Sequence, residues 1–493
     1  MAKLLLGIDI GTSACKVAVF DKSGRVLVQA NKPYELYYPN PGWVEQDPDE
    51  WWEAICEGIK DCLAAEEVSA EDIAGIGIDG QSWSAIPVDE NGNCLAKSPI
   101  WMDTRARDIC DEVKAKLGFH KIFDVAGNDF LPSYTTPKML WFKQEKPEIY
   151  EKTYKFLQSN SYIGYKLTGV MSQDLSQGYG IHFFNMSTCT YDEELATALG
   201  LSVDKVPKLY QCHEVIGEVT QAAAEKTGLK VGTKVVAGGL DAACGTLGAG
   251  VYLPGQTQEQ GGQAGGMSIC VDHALAHPKL ILSPHVIPDM WLLQGGTVGG
   301  GGALRWFKQE FGEGQSFDDL TKLAEEIPAG SDGVTFLPFM AGERSPLWNP
   351  DAKGVYYGLG FDKTKAHMIR ATLEGVAYSL QHNLKVAAET GAQVGELIAM
   401  GGASNSILWT QIKADVTGKV IKVPTSDTAT TLGAAILAGV GVGLYESFEE
   451  AVKETIVITR VQEPNMENHE KYKDAMNLYL NLIGALTPVY NDK

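Results

Sequence analysis

The amino-acid sequence predicts an α/β protein of two similarly sized domains with a cleft between them, and three observations support this fold class. The chain has 493 residues, whereas one domain usually holds about 100–200. Predicted strands and helices of the same kinds recur in both halves. Glycine and proline cluster over residues 245–255, and such clusters mark domain boundaries. The predicted domains are therefore residues 1–248 and 249–493.

Three predicted strands open the first half, before any helix. Short apolar runs separated by small polar turns predict them. The first helix follows Asp47, a suitable N-cap, and Pro48, which fits the first helical position. The predicted elements are strands over 3–8, 16–20 and 26–30, a helix over 51–65 and a strand over 73–78.

The second half uses the same kinds of elements after glycine-rich turns. The halves lack strong sequence identity, so an internal duplication is a hypothesis drawn from element order. The predicted strands cover 268–271, 290–293, 396–400 and 420–423, and the predicted helices cover 367–390, 406–416 and 428–438.

The charge of the chain restricts its partners. Lys and Arg total 41 against 62 Asp and Glu, which gives a formal net charge of −21. Because the sequence has no Lys/Arg cluster, nucleic acid and anionic membranes are not expected as partners. An acidic protein can still bind an anion through backbone N–H groups and a metal ion.

Cysteines and apolar segments indicate a cytoplasmic protein. The nine cysteines are scattered without a CxxC pair, so free thiols in a reducing compartment are the preferred interpretation. The first apolar run is broken by Asp9 and is too short for a signal peptide. The apolar stretch over 432–444 is interrupted by glycines and is shorter than the about 20 residues that span a bilayer.

Two glycine turns each expose one carboxylate. In residues 7–16 a strand contains Asp9, whose carboxylate could hold Mg²⁺. The turn that follows this strand could bind phosphate through its N–H and hydroxyl groups. In residues 235–248 a buried strand exposes Asp241 at a helix start, where it could accept a hydroxyl proton. An ordinary Asp is ionised at pH 7, so this role requires no raised pKa. The alternatives are a plain hairpin in the first case and a helix cap in the second.

Three further glycine turns, residues 260–266, 295–302 and 400–405, carry no acid. Small residues in the last of them could let a flat ring lie against the backbone. Other nucleotide motifs are excluded: residues 250–257 have P-loop spacing, but Gln256 stands where the phosphate-binding Lys is required. No GxGxxG follows the first strand, and kinase HRD signatures are missing.

Taken in order along the chain, these stretches and several others resemble the FGGY family of carbohydrate kinases, and its xylulokinase branch most closely. The resemblance implies two ribonuclease H-like domains of the actin and hexokinase class, which close over ATP and a sugar. The motifs are residues 7–16, 42–48, 80–81, 101–105, 136–138, 238–250, 342–346, 401–403 and 432–435.

The resemblance also implies a role for each site residue. Asp241 corresponds to the catalytic base and Asp9 to the carboxylate near Mg²⁺. The first phosphate turn corresponds to Gly11, Thr12 and Ser13, with Lys16 after it. The second phosphate turn corresponds to residues 262–265, which include Gly262 and Gln263. The turn that packs against adenine corresponds to Gly401, Gly402, Ala403 and Asn405. The sugar positions are Gln81, Ser82, Trp83, Asp103 and Arg105, together with Asp241.

The implied reaction is ATP-dependent phosphorylation of a terminal hydroxyl of a ketose, with D-xylulose 5-phosphate as the first expectation for the product. MgATP and a small sugar are the expected partners, and a homodimer is left open as the assembly. Ser82-Trp83 stand where this branch usually has Met-His, and Gln263-Ala264 replace a Thr-Ser pair. L-xylulose, ribulose and gluconate therefore stay open as substrates.

Alternative functions and roles are also open. An actin-like or chaperone-like ATPase would use the same nucleotide cleft to drive conformational change. A silent sugar-binding relative is disfavoured by the two intact carboxylates. Trp83 and Trp101 are either core aromatics or a wall against the sugar, and Arg105 and Arg344 are either ligands or members of ion pairs.

Overall fold

Two mixed sheets of seven strands each dominate the computed structural model, which describes residues 3–425 and 428–491. The strands up to residue 248 are β1 Leu4–Ile10, β2 Ala14–Phe20, β3 Val26–Pro33, β4 Glu45–Gln46, β5 Ile73–Gly80, β6 Ile86–Val88, β7 Ser98–Pro99, β8 Lys155–Leu157, β9 Ser172–Asp174, β10 Phe184–Asn185, β11 Thr190–Tyr191, β12 Lys208–Tyr210, β13 Val215–Glu218, β14 Lys234–Val236 and β15 Gly239–Leu240. The later strands are β16 Gln256–Gly261, β17 Gly265–Val271, β18 Ile281–Pro284, β19 Trp291–Thr297, β20 Thr335–Leu337, β21 Val355–Tyr357, β22 Glu396–Met400, β23 Val420–Pro424 and β24 Ile458–Gln462.

Helices surround both sheets. They are α1 Pro48–Leu63, α2 Arg107–Leu117, α3 Phe119–Ala126, α4 Thr135–Glu145, α5 Pro147–Lys152, α6 Ser159–Thr168, α7 Glu193–Ala198, α8 Gln221–Thr227, α9 Asp241–Gly248, α10 Gly301–Phe311, α11 Phe317–Glu325, α12 Lys365–Ala388, α13 Ile407–Thr417, α14 Ala429–Gly441, α15 Phe448–Thr455 and α16 Met466–Asn491.

The two sheets share one strand topology. In the first sheet β1, β2 and β3 are antiparallel neighbours, and β5 and β14 continue it in parallel beyond β1. In the second sheet β16, β17 and β19 are antiparallel neighbours, and β22 and β23 continue it in parallel beyond β16. This repeated arrangement confirms the predicted fold class of two ribonuclease H-like α/β domains and gives structural support to the duplication hypothesis.

The strands and helices predicted from the sequence all have counterparts whose ends differ by a few residues. The cap of α1 is also confirmed, because the Asp47 carboxylate accepts a hydrogen bond from the Asp49 N–H at 3.1 Å. The sequence patterns do not assign the helices between residues 107 and 227. Leu131, Ser133 and Tyr134, in the loop between α3 and α4, line the aromatic pocket described below.

Both faces of the first sheet are covered by helices. Leu6 and Ile8 of β1 pack on one face with Trp51 of α1, whereas Leu5 packs on the other face with Leu437 of α14. This alternation follows from the period of two in a strand. A strand covered on both faces reads as a continuous apolar run, which is why residues 3–8 look uniformly hydrophobic.

Helix α14 comes from the second half of the chain but packs directly on the first sheet. A Cβ atom added to Gly7 would lie 2.1 Å from the Thr431 carbonyl oxygen, and one added to Gly77 would lie 1.8 Å from the Ala434 carbonyl oxygen. The division at residues 248 and 249 stays a prediction, because α14 lies against elements on the other side of it.

Within residues 3–425 and 428–491, none of the helices combines the length and the apolar character that a bilayer crossing requires.

Substitution of Gly77 tests this packing. We expect Gly77→Ala to lower the free energy of unfolding by about 1–3 kcal/mol or more, because the new methyl group collides with rigid backbone. Thermal denaturation followed by circular dichroism measures the effect. Gly484→Ala in α16 is the matched control, since a Cβ atom there meets nothing within 4 Å. Equal melting temperatures for wild type and Gly77→Ala would contradict the close contact with α14.

Candidate active site

Three carboxylates meet at one end of the first sheet. Asp9 and Asp79 are register partners on the parallel strands β1 and β5. Strand β15 pairs Leu240 with Gly80, so Asp241, which begins α9, lies beside them. The sequence pointed to Asp9 and Asp241 but missed Asp79. The sequence did contain a signal for Asp79, because one predicted strand ends at Asp79 and another ends near Asp9. If these strands are parallel neighbours, their carboxyl ends lie at the same edge of the sheet, so the two carboxylates lie close together.

Asp79 is the most enclosed of the three. Its side chain is fully buried, and neither carboxyl oxygen accepts a hydrogen bond from a donor in the described part of the chain. Burial, followed by the charges of Asp9 and Asp241, raises its pKa well above the usual range. Burial and these charges therefore favour the protonated form of Asp79, whose carboxyl group contacts that of Asp9.

The pKa of Asp241 is raised to about 7, chiefly by burial and then by the negative charge of Asp9. The hydrogen bond that it accepts from the Ala242 N–H, at 2.6 Å, acts in the opposite direction. The sequence analysis required no raised pKa for the role of this group, and the site nevertheless raises it. The sequence does not show how deeply Asp241 is buried or how close the charge of Asp9 lies to it, and in a site of low dielectric constant both strongly affect the pKa.

Asp9 connects the two halves of the protein and contacts Thr430 and Lys16, which line the cleft described below. Its Oδ2 accepts a hydrogen bond from Thr430 Oγ1 of α14 at 3.0 Å and lies 3.8 Å from the Lys16 ammonium. A hard divalent cation fits this acidic corner, since Mg²⁺ is usually bound by one or two carboxylates plus phosphate and water oxygens. The described residues contain no complete cage of three or more His, Cys, Asp or Glu side chains, so phosphates and water would supply the other ligands.

The first phosphate turn lies between β1 and β2. Gly11 closes it by donating to the Ala14 carbonyl at 3.2 Å. Thr12 is fixed on both sides, because its carbonyl accepts from Gln46 Nε2 at 2.7 Å and its Oγ1 accepts from Trp101 Nε1 at 3.0 Å. Across the described chain, no hydrogen-bond acceptor is found for the N–H groups of Thr12 and Ser13, and they can serve an anion.

The second phosphate turn lies between β16 and β17 and is fixed by the start of α10. The carbonyl groups of Gly262 and Gln263 accept hydrogen bonds from the N–H groups of Gly301 and Gly302 at 2.7 and 2.9 Å. A Cβ atom on Gly302 would lie 2.3 Å from Gln263 Nε2. Of the glycines in residues 295–302, which the sequence singled out without a specific role, Gly300, Gly301 and Gly302 therefore allow the helix to approach the turn.

A cleft of about 910 Å³ joins these elements, with walls from both halves that include Lys16, Asp241, Gly262, Gln263, Gly401 and Asn405. Gly402 also lines it. Ala403 instead lies beneath the surface against Gly261, because a Cβ atom on Gly261 would be 2.7 Å from the Ala403 methyl. Arg460 and Thr430 line the cleft as well, and no sequence signal pointed to either.

A second pocket, of about 360 Å³, is lined by aromatic residues. Trp83 and Tyr134 form one wall and stack with ring centroids 4.1 Å apart. Trp101 and Trp348 contribute further walls. Trp83 is buried against its neighbours, as the core interpretation expects, and it also lines the pocket. Contact of its ring with a sugar stays a prediction.

Gln81 and Ser82 are held beside this pocket by their side chains. Gln81 Nε2 donates to Gln46 Oε1 at 2.7 Å, and Gln46 in turn binds the first phosphate turn. The Tyr179 hydroxyl donates to Ser82 Oγ at 2.8 Å. One hydrogen-bond network therefore links the sugar-side positions to the phosphate side.

Asp103 and Arg105 lie behind the pocket. The Arg105 Nη2 is 2.7 Å from both Asp103 Oδ2 and Glu45 Oε1, and its guanidinium stacks 4.0 Å from the Trp43 ring centroid. The side chains of Arg105 and Asp103 are 2% and 0% exposed. These contacts favour the ion-pair interpretation of Arg105, and a sugar-binding role for the pair stays a prediction.

Arg344 faces the pocket from the second half of the chain. The arginine–carboxylate ion pairs among the described residues involve Arg25, Arg105 and Arg370, which leaves the Arg344 guanidinium without a carboxylate in contact. The adjacent Glu343 turns into the protein and accepts the Val298 N–H at 2.8 Å. Arg344 is therefore a cation available to a ligand.

A carboxylate on the wall of a cleft formed by both halves, together with an aromatic pocket, fits a phosphotransferase of the two-domain, cleft-forming class. The N-terminal domain model of the FGGY family of carbohydrate kinases matches residues 4–248, and its C-terminal domain model matches residues 271–442. The chain belongs to the FGGY family of carbohydrate kinases. It is thus a kinase that uses ATP and transfers phosphate to an alcohol group, as the sequence predicted.

Known relatives include enzymes for different sugars. A xylulose kinase of Staphylococcus epidermidis is 34% identical over 480 residues, which cover 97% of this chain and 96% of the relative. A gluconokinase of Bacillus licheniformis is 30% identical over 502 residues, covering 99% and 97%. The crystal structure of ligand-bound xylulose kinase from Lactobacillus acidophilus matches with a TM-score of 0.92, 27% identity and 99% coverage of both chains.

Proposed function

We propose that this protein is a cytoplasmic, Mg²⁺- and ATP-dependent kinase that phosphorylates the terminal hydroxyl of D-xylulose to give D-xylulose 5-phosphate. The observation that carries the proposal is the position of Asp241 on the wall of the nucleotide cleft, with a pKa near neutrality and an aromatic pocket close by. The likeness to the Staphylococcus epidermidis xylulose kinase supports D-xylulose as the acceptor. Nine unpaired cysteines support a reducing compartment.

In the proposed reaction the ionised Asp241 takes the proton of the terminal hydroxyl. The oxygen forms a bond to the γ-phosphorus of ATP while the bond to the bridging oxygen of ADP breaks in line with it. The proton ends on Asp241, and ADP leaves with the electron pair. A base with a pKa near the working pH has a suitable balance of ionised fraction and basicity, and the pKa of Asp241, about 7, meets that condition.

The nucleotide would be held by backbone dipoles rather than by a cluster of basic side chains. The N–H groups of Thr12 and Ser13 would contact phosphate, and the turn containing Gly262 would contact it from the other domain. Asp9 would hold Mg²⁺, which when bound neutralises charge on the phosphate oxygens. Gly401 and Gly402 would lie against adenine. This arrangement explains how a chain of net charge −21 can bind a polyphosphate.

The sugar would lie between Asp241 and the aromatic pocket. Trp83 and Tyr134 offer flat apolar faces to its C–H groups, and Gln81 and Ser82 offer polar atoms to its hydroxyls.

A second candidate acceptor is a sugar acid such as gluconate. Arg344 faces the pocket without a carboxylate partner among the described residues, and a guanidinium pairs well with a carboxylate. The 30% identity to the Bacillus licheniformis gluconokinase points the same way.

A panel of ketoses, aldonates and polyols with coupled detection of ADP tests the proposed function. We expect D-xylulose to give the highest kcat/KM, and Asp241→Asn to lower kcat by at least ~10²-fold because the base is lost, with sugar binding retained. Asp111→Asn on the exposed surface of α2 is the control and should match wild type. ATP hydrolysis that ignores every sugar would overturn the proposal in favour of an ATPase that drives conformational change.

The pH dependence of the reaction tests the state of Asp241. Because the ionised carboxylate is the active form, kcat/KM for the sugar should fall about tenfold per pH unit below the pKa, which the site sets at about 7. Initial rates between pH 5 and 9 with limiting sugar give this profile. A rate that stays level down to pH 5 would show an ordinary Asp pKa and contradict the effect of burial.

Substitution of Arg344 separates the two candidate acceptors. If a carboxylate binds this guanidinium, Arg344→Met should lower kcat/KM for D-gluconate by about 10–100-fold, since a hydrogen bond to a charged group is worth about 1.5–3 kcal/mol. For D-xylulose we expect a loss several times smaller. Arg305→Met on the exposed face of α10 is the charge-matched control. Gluconate turnover that exceeds D-xylulose turnover and depends on Arg344 would establish the second candidate.

A further inference from the structure

Lys138 of α4 lies in the 136–138 motif and has no part in the reaction described above. It is fully buried. Its Nζ donates hydrogen bonds to the carbonyl oxygens of Trp83 at 2.8 Å, Ile100 at 2.7 Å and Ser133 at 2.5 Å. An ammonium group has three N–H donors, so these three bonds use all of them.

The three acceptors belong to three separate loops that wall the aromatic pocket. Trp83 lines the pocket itself, Ile100 precedes the lining residue Trp101, and Ser133 and Tyr134 both line it. The accepting carbonyls are far apart in the chain, at positions 83, 100 and 133. Lys138 is their common donor, so its ammonium fixes the distances between the walls.

The conformation of Trp83 makes this restraint necessary. Its φ is 62°, in the left-handed region that costs a residue other than glycine of order 1–2 kcal/mol. Such a conformation persists only when surrounding contacts impose it. Stacking on Tyr134 holds the indole ring, and the bond from Lys138 holds the carbonyl group.

We propose that Lys138 is a positioning residue for the acceptor site, which holds the loops of Trp83, Trp101 and Tyr134 at the spacing that a sugar requires. The proposal rests on the proposed function, because it takes the aromatic pocket as the sugar site. It assigns Lys138 no contact with the reacting atoms. Loss of its donors should therefore weaken sugar binding and leave the nucleotide cleft unchanged.

The effects of Lys138→Met on the two substrates test this role. Methionine keeps the approximate length of the side chain and removes the donors. We expect KM for the preferred sugar of the panel to rise about tenfold or more, because small displacements of positioning groups have large effects. KM for ATP should change less than about twofold on the same argument. Lys143→Met is the matched control, since Lys143 also lies on α4 and donates to a backbone carbonyl, that of Gly200.

Two further measurements separate positioning from simple support of the fold. Lys138→Gln keeps two N–H donors, and its sugar KM should fall between those of wild type and Lys138→Met. This variant also tests the proposal if Lys138→Met does not fold. The near-ultraviolet circular dichroism of the variants should change, because the Trp83–Tyr134 stack loosens.

The outcomes distinguish this proposal from the proposed function. An unchanged sugar KM in folded Lys138→Met, or in Lys138→Gln if the first variant does not fold, would overturn the role of Lys138 alone. A parallel rise in KM for sugar and ATP would also overturn it, since it would indicate a general loss of structure. A wild-type protein that neither binds nor phosphorylates any sugar would remove the proposed function and this inference together.

Discussion

The active site depends on the convergence of three carboxylates at the end of one sheet. Parallel pairing of β1 and β5 places Asp79 directly beside Asp9, and β15 brings Asp241 to the same edge. Like charges this close in a medium of low dielectric constant repel strongly. Burial and the neighbouring charges favour the protonated form of Asp79, and the Lys16 ammonium lies 3.8 Å from Asp9, so both reduce the repulsion. Burial and then the negative charge of Asp9 raise the pKa of Asp241 to about 7.

The same corner ties the two halves of the molecule together. Thr430, on a helix from the second half, donates to Asp9 of the first, and glycines let that helix approach β1 and β5 at backbone contact. Helix α14 is therefore one of the connections between the halves, in addition to the hydrogen bonds of Asn128 with Leu282 and of Trp291 with Met186. Since Asp9 is the proposed metal ligand, the helix that carries part of the nucleotide cleft also orients the group that would hold the metal.

The strands and helices that precede and follow the glycine turns, and the carboxylates Asp9 and Asp241, could be predicted because they depend on local pattern. Asp79 was missed because its importance comes from strand pairing, which a single strand's sequence does not contain. Arg105 was ambiguous for a similar reason, since its partner Glu45 is 60 residues away. The pKa of Asp241 could not be read from residue types, because it depends on burial and on the distance to another charge. The positions of Asp9 and Asp241 in their local sequence patterns were thus predictable. Strand pairing, ion pairing and pKa shifts were not, because they depend on residues that are distant in the sequence.

In the proposed function, the acceptor would bind at a part of the molecule where the backbone preference of a residue and its tertiary contacts disagree. Trp83 stands in a backbone region that favours glycine, and its ring is held by Tyr134 and Tyr179 at centroid distances of 4.1 and 5.4 Å. A bulky indole in that position narrows the pocket and presents a flat face to it. The hydroxyl of Ser82, beside it, is already engaged by Tyr179. If the aromatic pocket binds the acceptor, discrimination between sugars should therefore come from the shape of the aromatic walls and from Arg344, which also lines the pocket.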